Sequence, residues 1–504
     1  MHMKLEFPTY TKKILSALNE AGYEAYLVGG AVRDLLLERE PGDYDITTSA
    51  LPEQTMAVAR SRGWTVIDNL GQNFGCVVVV IDGEPTEITT FRGEKYGTDA
   101  HKPSEIWFAR TLQEDMSRRD FTINAMALDA EGRLYDYFGG QKDLGQGILR
   151  TVGRAEQRYT EDGLRMLRAC RFVAQLGFTY VDEAAAEVKQ LGYGMEGTPY
   201  YLTNIPSFPV ERCRGLSVER VRKELDKLLM APQAGKGCML LMATGLAKAK
   251  CRVKENGHYL ELDILPELEH LVGLHQNPKY HCYDTWEHTL LAIDNSPQVL
   301  EIRWAMLLHD VGKGLPGIRT LNKEGQPSDH GHEAESARLA EIILTRLRYP
   351  AAFVKRVVWL VAQHMRFAPM LVTGEKTLLR WVRTEAHNGY FRKQSQLVEA
   401  YSQLVEVFLA DMGATWAKDD PQLMEKGRQL GEQVLELCKT RMPISTSDLK
   451  IGGRELLPLI GQENIKTMLT YLLHRVQNGD LQNNEPALWQ AAKKNIARRG
   501  RNNE

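Results

Sequence analysis

Two aspartates separated by a single residue, Asp43 and Asp45 in the run DYDITT, are the residues best placed to do chemistry. On a strand, side chains alternate, so residues two apart share a face and Tyr44 takes the other. Two carboxylates on one face repel each other unless a cation sits between them. Mg²⁺ fits, because it prefers oxygen ligands and also binds nucleotide phosphates. Two such ions about 3.5–4 Å apart would bind the attacking and leaving oxygens of an in-line displacement. Glu87, in TEITTFR on an expected neighbouring strand, is a candidate third ligand. An acidic pair alone is a common solvated turn; LVGGAVRD upstream gives this one weight. Gly29 and Gly30 fall at a strand–turn–helix junction, where a backbone without Cβ can approach a triphosphate, and Arg33 follows one turn in. Downstream, SRRDFTINAMA supplies Arg118, Arg119 and Asp120. Paired arginines suit phosphate or ribose.

A second pair of residue types points to base recognition. Thr160 reads as the N-cap of a helix beginning EDGLRMLRACRF. Asp162 and Arg165, three apart, would then be neighbours on one helix face. As a surface ion pair they would contribute little, under about 1 kcal/mol. Facing a base they would do more. Cytosine and adenine each present an amino donor beside a ring-nitrogen acceptor, whereas uracil and guanine present a carbonyl beside an N–H. A carboxylate next to an arginine matches the first two and leaves buried polar groups unpaired against the others.

A third set lies further along, in WEHTLLAID, WAMLLHDVGKG, DHGHEAESA, VAQHMRF and FLADMGA. These runs put His288, His309, Asp310, His332, His364 and Asp411 on or beside expected helices. Mixed imidazole and carboxylate ligation suits Mn, Fe, Ni, Co or Zn better than Mg²⁺.

The elements that would position these groups follow from periodicity. A helix over 10–22 ends at Gly22, and a strand over 23–28 runs into the glycines. A helix over 31–38, a strand at 43–48, a helix at 52–62 and strands near 75–82 and 86–92 complete a small α/β head. The segment from Phe91 to Leu112 is polar and punctuated by Gly93, Gly97 and Pro103, and reads as a mobile loop. Beyond about residue 150 amphipathic helical patterns run to the end. Residues 191–215 interrupt them as an inserted loop, and the basic end KKNIARRGRNNE reads as frayed. The fold class is therefore α+β, an α/β head followed by an all-helical remainder. With 504 residues the chain is too long for a single core. Its net charge of −2 provides no global attraction for nucleic acid, so any RNA surface must be a local basic patch. Seven cysteines without a CxxC pair suggest a reducing compartment. No apolar leader or membrane-length run is visible, so the expected location is cytoplasmic.

The order GGAVRD, DYD, RRDFTINA resembles the head of the class II tRNA nucleotidyltransferase and bacterial poly(A) polymerase family. The resemblance implies a polymerase-β-like nucleotidyltransferase head, with Asp43 and Asp45 as metal ligands. It also implies Gly29, Gly30 and Arg33 at the triphosphate, and Arg118, Asp120 and Asn124 around the incoming nucleotide. EDGLR resembles the nucleotide-selecting EDxxR motif of class II CCA-adding enzymes, a match that extends through Arg168 and Arg171. The histidine–aspartate set resembles the HD phosphohydrolase superfamily. There His288, His309, Asp310 and Asp411 would hold one metal, His332 and His364 would serve a second, and Lys313 would contact phosphate. The implied layout is a head (1–150), a neck of nucleotide-selecting and RNA-binding helices (151–255), an HD-type body (256–415) and a tRNA-binding tail (416–504). The implied function is addition of CMP and AMP to the 3′ end of tRNA from CTP and ATP with Mg²⁺, and neither membrane nor DNA is an expected partner. An HD-domain phosphohydrolase activity with a transition metal stands beside it. An A-adding enzyme, a poly(A) polymerase and an HD phosphohydrolase with an RNA-binding head remain open alternatives.

Overall fold

Short β-branched runs separated by glycine turns build the N-terminal part around one sheet. The computed structural model describes residues 5–67, 75–96, 103–181, 194, 200, 202, 205–373 and 375–501. The chain divides into two compact units, Met1–Glu269 and His270–Glu504. The first begins α1 (Thr9–Glu20), β1 (Ala25–Val28), α2 (Gly30–Leu36), β2 (Ile46–Thr48), α3 (Pro52–Ser61), β3 (Thr65–Ile67), β4 (Cys76–Ile81) and β5 (Glu84–Thr90). It continues with β6 (Arg92–Tyr96), β7 (Pro103–Phe108), α4 (Leu112–Ser117), β8 (Met126–Leu128), β9 (Leu134–Asp136) and α5 (Gly140–Gln146). Among the described residues, seven strands form the sheet in the order β3-β4-β5-β2-β1-β8-β9. The β2–β5 pair is parallel, with Ile46 opposite Ile88, and β1 runs antiparallel to β2. That register sets the site. The end of β1 lies beside the start of β2, so the Gly29–Gly30 turn comes to the approach of Asp43 and Asp45. Val28, Phe91, Leu112, Met116 and Ala127 pack beneath as a dry cluster.

Two expectations for this region change. Asp43 and Asp45 precede the regular strand, which starts at Ile46. Asp45 nonetheless extends the pairing, since its carbonyl accepts the Val28 N–H at 3.0 Å. The segment expected to be a loop forms an antiparallel ladder of β6 and β7. The Trp107 ring crosses Gly93 so closely that a Cβ there would come within 2.3 Å of it. Gly97 and its neighbours over 97–102 lie outside the described residues.

The first unit then turns helical: α6 (Ala155–Glu161), α7 (Leu164–Leu176), α8 (Val218–Leu229) and α9 (Ala234–Ala243). Helix α8 buries Val218, Val221, Leu225 and Leu228, one stripe at three- and four-residue spacing. Here a third expectation fails. Thr160 lies inside α6, and α7 starts at Leu164 after Gly163. Asp162 stands at the break between the two helices with φ −140° and ψ 108°, so it shares no helix face with Arg165. Most of the insertion expected over 191–215 lies outside the described residues; Val210–Gly215 is a short 3₁₀ turn.

The second unit is nearly all helix: α10 (Thr285–Asn295), α11 (Leu300–Leu308), α12 (His332–Arg346), α13 (Ala351–Gln363), α14 (Met370–Thr373), α15 (Glu375–His387), α16 (Gln394–Met412), α17 (Pro421–Thr440), α18 (Gly453–Ile460), α19 (Ile465–Gln477) and α20 (Glu485–Arg501). Trp286, Trp304, Phe367 and Phe408 fill its core. A smaller apolar cluster of Leu456, Leu472, Val476 and Leu488 holds the last helices together. The basic end expected to fray is helical through Arg501. No described helix is long and apolar enough to cross a membrane.

Candidate active site and candidate metal centre

A cavity of about 700 Å³ opens in the first unit where the glycine turn, the aspartate pair and the helices meet. Gly29, Gly30, Arg33, Asp43 and Asp45 line it, as do Arg118, Asp120, Asn124, Asp162, Arg165, Arg168 and Arg171. Sequence reasoning had not placed Arg92, Glu94, Phe172, Arg220 or Lys227 here, and had only paired Arg119 with its neighbour. All six also line the cavity. Among the described residues, nine arginine or lysine side chains line it with five carboxylates, so the cavity is locally basic in a chain that is slightly acidic overall. That balance suits a polyanion carried with its metal.

Backbone geometry makes the phosphate-sized space. Gly29 sits at φ 73°, and a Cβ there would lie 3.0 Å from an Arg119 Nη1. The arginines are held by carboxylates rather than left loose. Buried Asp115 accepts from Arg118 at 2.8 Å, from the Arg92 N–H at 3.2 Å and from the Thr47 hydroxyl at 3.2 Å. Arg33 donates to Asn124 at 2.8 Å, and Asn124 donates to Asp120 at 3.2 Å. Asp120 also accepts from Arg168 at 2.7 Å. Burial alone would raise the Asp120 pKa, but Arg168 brings it down to about 2. The Phe172 ring lies 4.1 Å from the Arg171 guanidinium and 5.2 Å from that of Arg33. Such stacking keeps long cations in place.

Asp45 has the opposite environment. Burial, then the charges of Asp43 and Glu87, push its carboxyl up to about 6, and Arg119 offsets this only partly. Glu87, one residue before Ile88 in the parallel register, lies level with Asp45 but outside the cavity lining and exposed. A site that makes a carboxylate unfavourable as an anion is one a divalent cation would relieve. The oxygen donors fit Mg²⁺, which keeps several non-protein ligands.

In the neck, the base-reading candidates are held apart from each other. Asp162 accepts the Leu164 N–H at 3.0 Å and Arg220 Nη2 at 3.0 Å. Arg165 donates to Glu161 at 2.8 Å and to the Arg118 carbonyl at 2.8 Å. Each thus bonds its own set of partners, Asp162 with Arg220 and Arg165 with Glu161.

The second unit draws its six candidates together. His288 comes from α10, His309 and Asp310 from the end of α11, His332 from the start of α12, His364 from the end of α13 and Asp411 from α16. Each imidazole uses Nδ1 toward a backbone carbonyl: His288 to Ala414 at 3.0 Å, His309 to Met306 at 2.7 Å, His332 to Asp329 at 2.8 Å and His364 to Val361 at 2.7 Å. A carbonyl cannot donate, so Nδ1 carries the hydrogen and a neutral ring has a bare Nε2. Yet the Nε2 atoms of His288 and His309 are 3.2 Å apart, and those of His332 and His364 are 3.3 Å apart. Lone pairs facing at that distance call for a cation between them. Burial, then the neighbouring histidines, holds the His364 pKa down to about 3, which keeps that ring neutral.

Among the described residues, His288, His309 and Asp411 form one three-ligand group, and Asp310, His332 and His364 form another. This revises the expected partition. Asp310 does not belong to the first set alone: Oδ2 is 3.2 Å from His309 Nε2 and Oδ1 is 3.1 Å from His332 Nε2. Lys313 lies 2.7 Å from Asp310.

Comparison with known proteins gives three family matches. The poly A polymerase head domain matches residues 25–150, and the HD domain matches 279–402. A family described as the probable RNA and SrmB-binding site of polymerase A matches 210–249. A CCA-adding enzyme of Geobacillus thermodenitrificans is 43% identical over 247 residues, 49% of this chain and 55% of the relative. One of a Geobacillus sp. is 46% identical over 233 residues, 46% of this chain and 52% of the relative. The chain thus spans about half the length of the curated relatives it matches. The crystal structure of the Bacillus stearothermophilus CCA-adding enzyme in complex with CTP aligns at 26% identity and a TM-score of 0.59, covering 97% of this chain and 98% of the other.

Proposed function

We propose that this chain, whose residues 25–150 match the poly A polymerase head domain and whose residues 279–402 match the HD domain, is a cytoplasmic enzyme that adds CMP and AMP to the 3′ end of tRNA without a nucleic-acid template. The observation that carries this is one basic cavity lined by the aspartate pair, the glycine turn and the two candidate base-reading residues. Mg²⁺ held by Asp43 and Asp45, with Glu87 beside them, would activate the 3′ hydroxyl and neutralise the leaving pyrophosphate. The glycine turn and Arg33 receive the triphosphate, while Arg118, Asp120 and Asn124 border the nucleotide. Asp162 accepts from the exocyclic amino group, and Arg165 donates to the ring nitrogen. Arg168 and Arg171 hold the neck face of the cavity. The CTP complex of the Bacillus stearothermophilus enzyme supports CTP as one substrate.

Complete CCA addition is favoured over A addition alone. The same pair must meet a small base twice and then a larger one, so a movable element beside it is required. The β6–β7 hairpin, whose Arg92, Glu94 and Ile106 line the same cavity, is the candidate for that element. Incubating purified protein with tRNA transcripts ending at each 3′ position, one NTP at a time, tests the function. CTP should extend a transcript lacking the last three nucleotides, and ATP one ending in CC. Indefinite extension of unstructured RNA by ATP, with CTP ignored, would favour a poly(A) polymerase.

A second reading concerns the HD unit. The facing Nε2 pairs bridged by Asp310 support a transition-metal centre that hydrolyses a phosphomonoester or a 2′,3′-cyclic phosphate, with Lys313 at the phosphate. The helical tail is assigned to tRNA binding.

A further inference from the structure

We propose that Arg220, on α8, is a positioning residue for base choice: it holds the Asp162 carboxylate at the angle from which that group reads an amino edge. The proposal rests on the reading of Asp162 and Arg165 as the base-selecting pair. Asp162 stands at a helix break, so regular helical backbone does not fix where its side chain points. Two bonds do. One is local, from the Leu164 N–H to Oδ1 at 3.0 Å. The other crosses 58 residues of sequence, from Arg220 Nη2 to Oδ2 at 3.0 Å. Arg220 is itself anchored in the first turn of α8, where its N–H donates to the Ser217 N-cap hydroxyl at 3.4 Å. Both side chains line the cavity. Arg165 is held separately, by Glu161 and the Arg118 carbonyl. The two reading groups are therefore aimed independently, and Arg220 is the long-range partner of one of them.

Rigidity is what this contact adds. A carboxylate offers about four acceptor directions, so Oδ2 bonded to Arg220 can still accept an amino hydrogen from cytosine or adenine. Against uracil or guanine, a fixed carboxylate meets a carbonyl and must stay unpaired, which is costly in a closed site. A carboxylate free to swing would turn to water and lose much of that penalty. Misplacement by an ångström is enough to blunt such a site. The Arg220 side chain is 36% exposed, so the pair contributes little to folding and its removal should register in selectivity instead.

The test uses the full-length protein, a tRNA transcript ending in CC, and kcat/KM for ATP, UTP and GTP measured separately. Arg220→Ala should reduce the preference for ATP by about tenfold or more with an unchanged melting temperature. Arg220→Lys should restore part of the preference. In an Asp162→Ala background, adding Arg220→Ala should alter selectivity by less than about twofold. Wild-type selectivity in Arg220→Ala, alongside lost selectivity in Asp162→Ala, would overturn this proposal and leave the base-selecting reading intact. Wild-type selectivity in Asp162→Ala would overturn the reading beneath it. An equal loss from Arg220→Ala with or without Asp162 would show that Arg220 acts through another group, which also overturns the proposal. Should Arg220→Ala lower the melting temperature, Arg220→Gln is measured and judged by the same outcomes.

Discussion

Asp45 concentrates the chemistry proposed for the head. Its carboxyl is pushed up to about 6 by burial and by two neighbouring acids. Replacing Asp43 or Asp45 by Asn should lower nucleotide addition by about 10³-fold or more while tRNA binding persists. Steady-state rates and filter binding check this; near-normal rates in both variants would remove the metal assignment. Asp120 behaves oppositely, since Arg168 outweighs burial and brings its pKa from 3.8 to about 2. A depressed carboxylate stabilises the fold above its unfolded pKa, and the contribution is lost as pH falls through the folded one. Asp120→Asn should therefore cost about 2 kcal/mol at pH 7 and about half that at pH 3, read from urea denaturation of the full-length protein. An equal cost at both pH values would mean the charge of Asp120 is not what matters. At this scale the sequence was most legible where chemistry is local. DYD, GG and RRD stand in short runs whose side-chain types limit their use. Arg220 was not legible, because its partner lies 58 residues away and only packing brings them together.

Helices and turns decide whether those side chains meet. The periodic runs forecast α1 and α3 closely, because burial of an apolar stripe fixes a helix more firmly than its caps do. Caps are less firm: Thr160 has the residue type of a start signal, yet α6 continues through it and the chain breaks at Asp162 instead. That break matters, since it frees Asp162 to point into the cavity. The expected loop over 91–112 carries the β6–β7 ladder, a non-local pairing that Gly and Pro in its sequence obscured. The Arg171–Glu224 pair joins α7 and α8, 2.7 Å apart with both side chains under 10% exposed. Removing one partner of a buried pair leaves a stranded charge. Glu224→Ala should cost about 3 kcal/mol or more in the urea unfolding of the full-length protein. A change under about 0.5 kcal/mol would show that Gln175 and Phe172 suffice to hold Arg171.

Across the whole molecule, two candidate sites with different ligand chemistry fall in two compact units: the aspartate pair in the first, and two histidine–carboxylate groups in the second. Oxygen donors in the head suit Mg²⁺; imidazoles with two carboxylates in the second unit suit a transition metal. The activities should separate. His309→Ala with Asp310→Ala should abolish bound transition metal and any Ni²⁺-, Co²⁺- or Mn²⁺-dependent phosphate hydrolysis while leaving nucleotide addition intact. Elemental analysis of the purified protein and a cyclic-phosphate assay check it; full metal content in the double variant would refute the ligand set. The matches of residues 25–150 and 279–402 to two domain families were foreshadowed because three motifs and the histidine set occur in order. The sharing of Asp310 between two ligand groups was not, since spacing along the chain says nothing about which oxygen faces which ring. The central claim, that one protein cavity chooses C and then A without a template, has a direct test. A tRNA lacking its last three nucleotides is given CTP and ATP together, and the product ends are sequenced. Addition of C, C and A followed by arrest is the predicted result. A product stopping at CC, extension only of a tRNA already ending in CC, or an unending run of A would each contradict it.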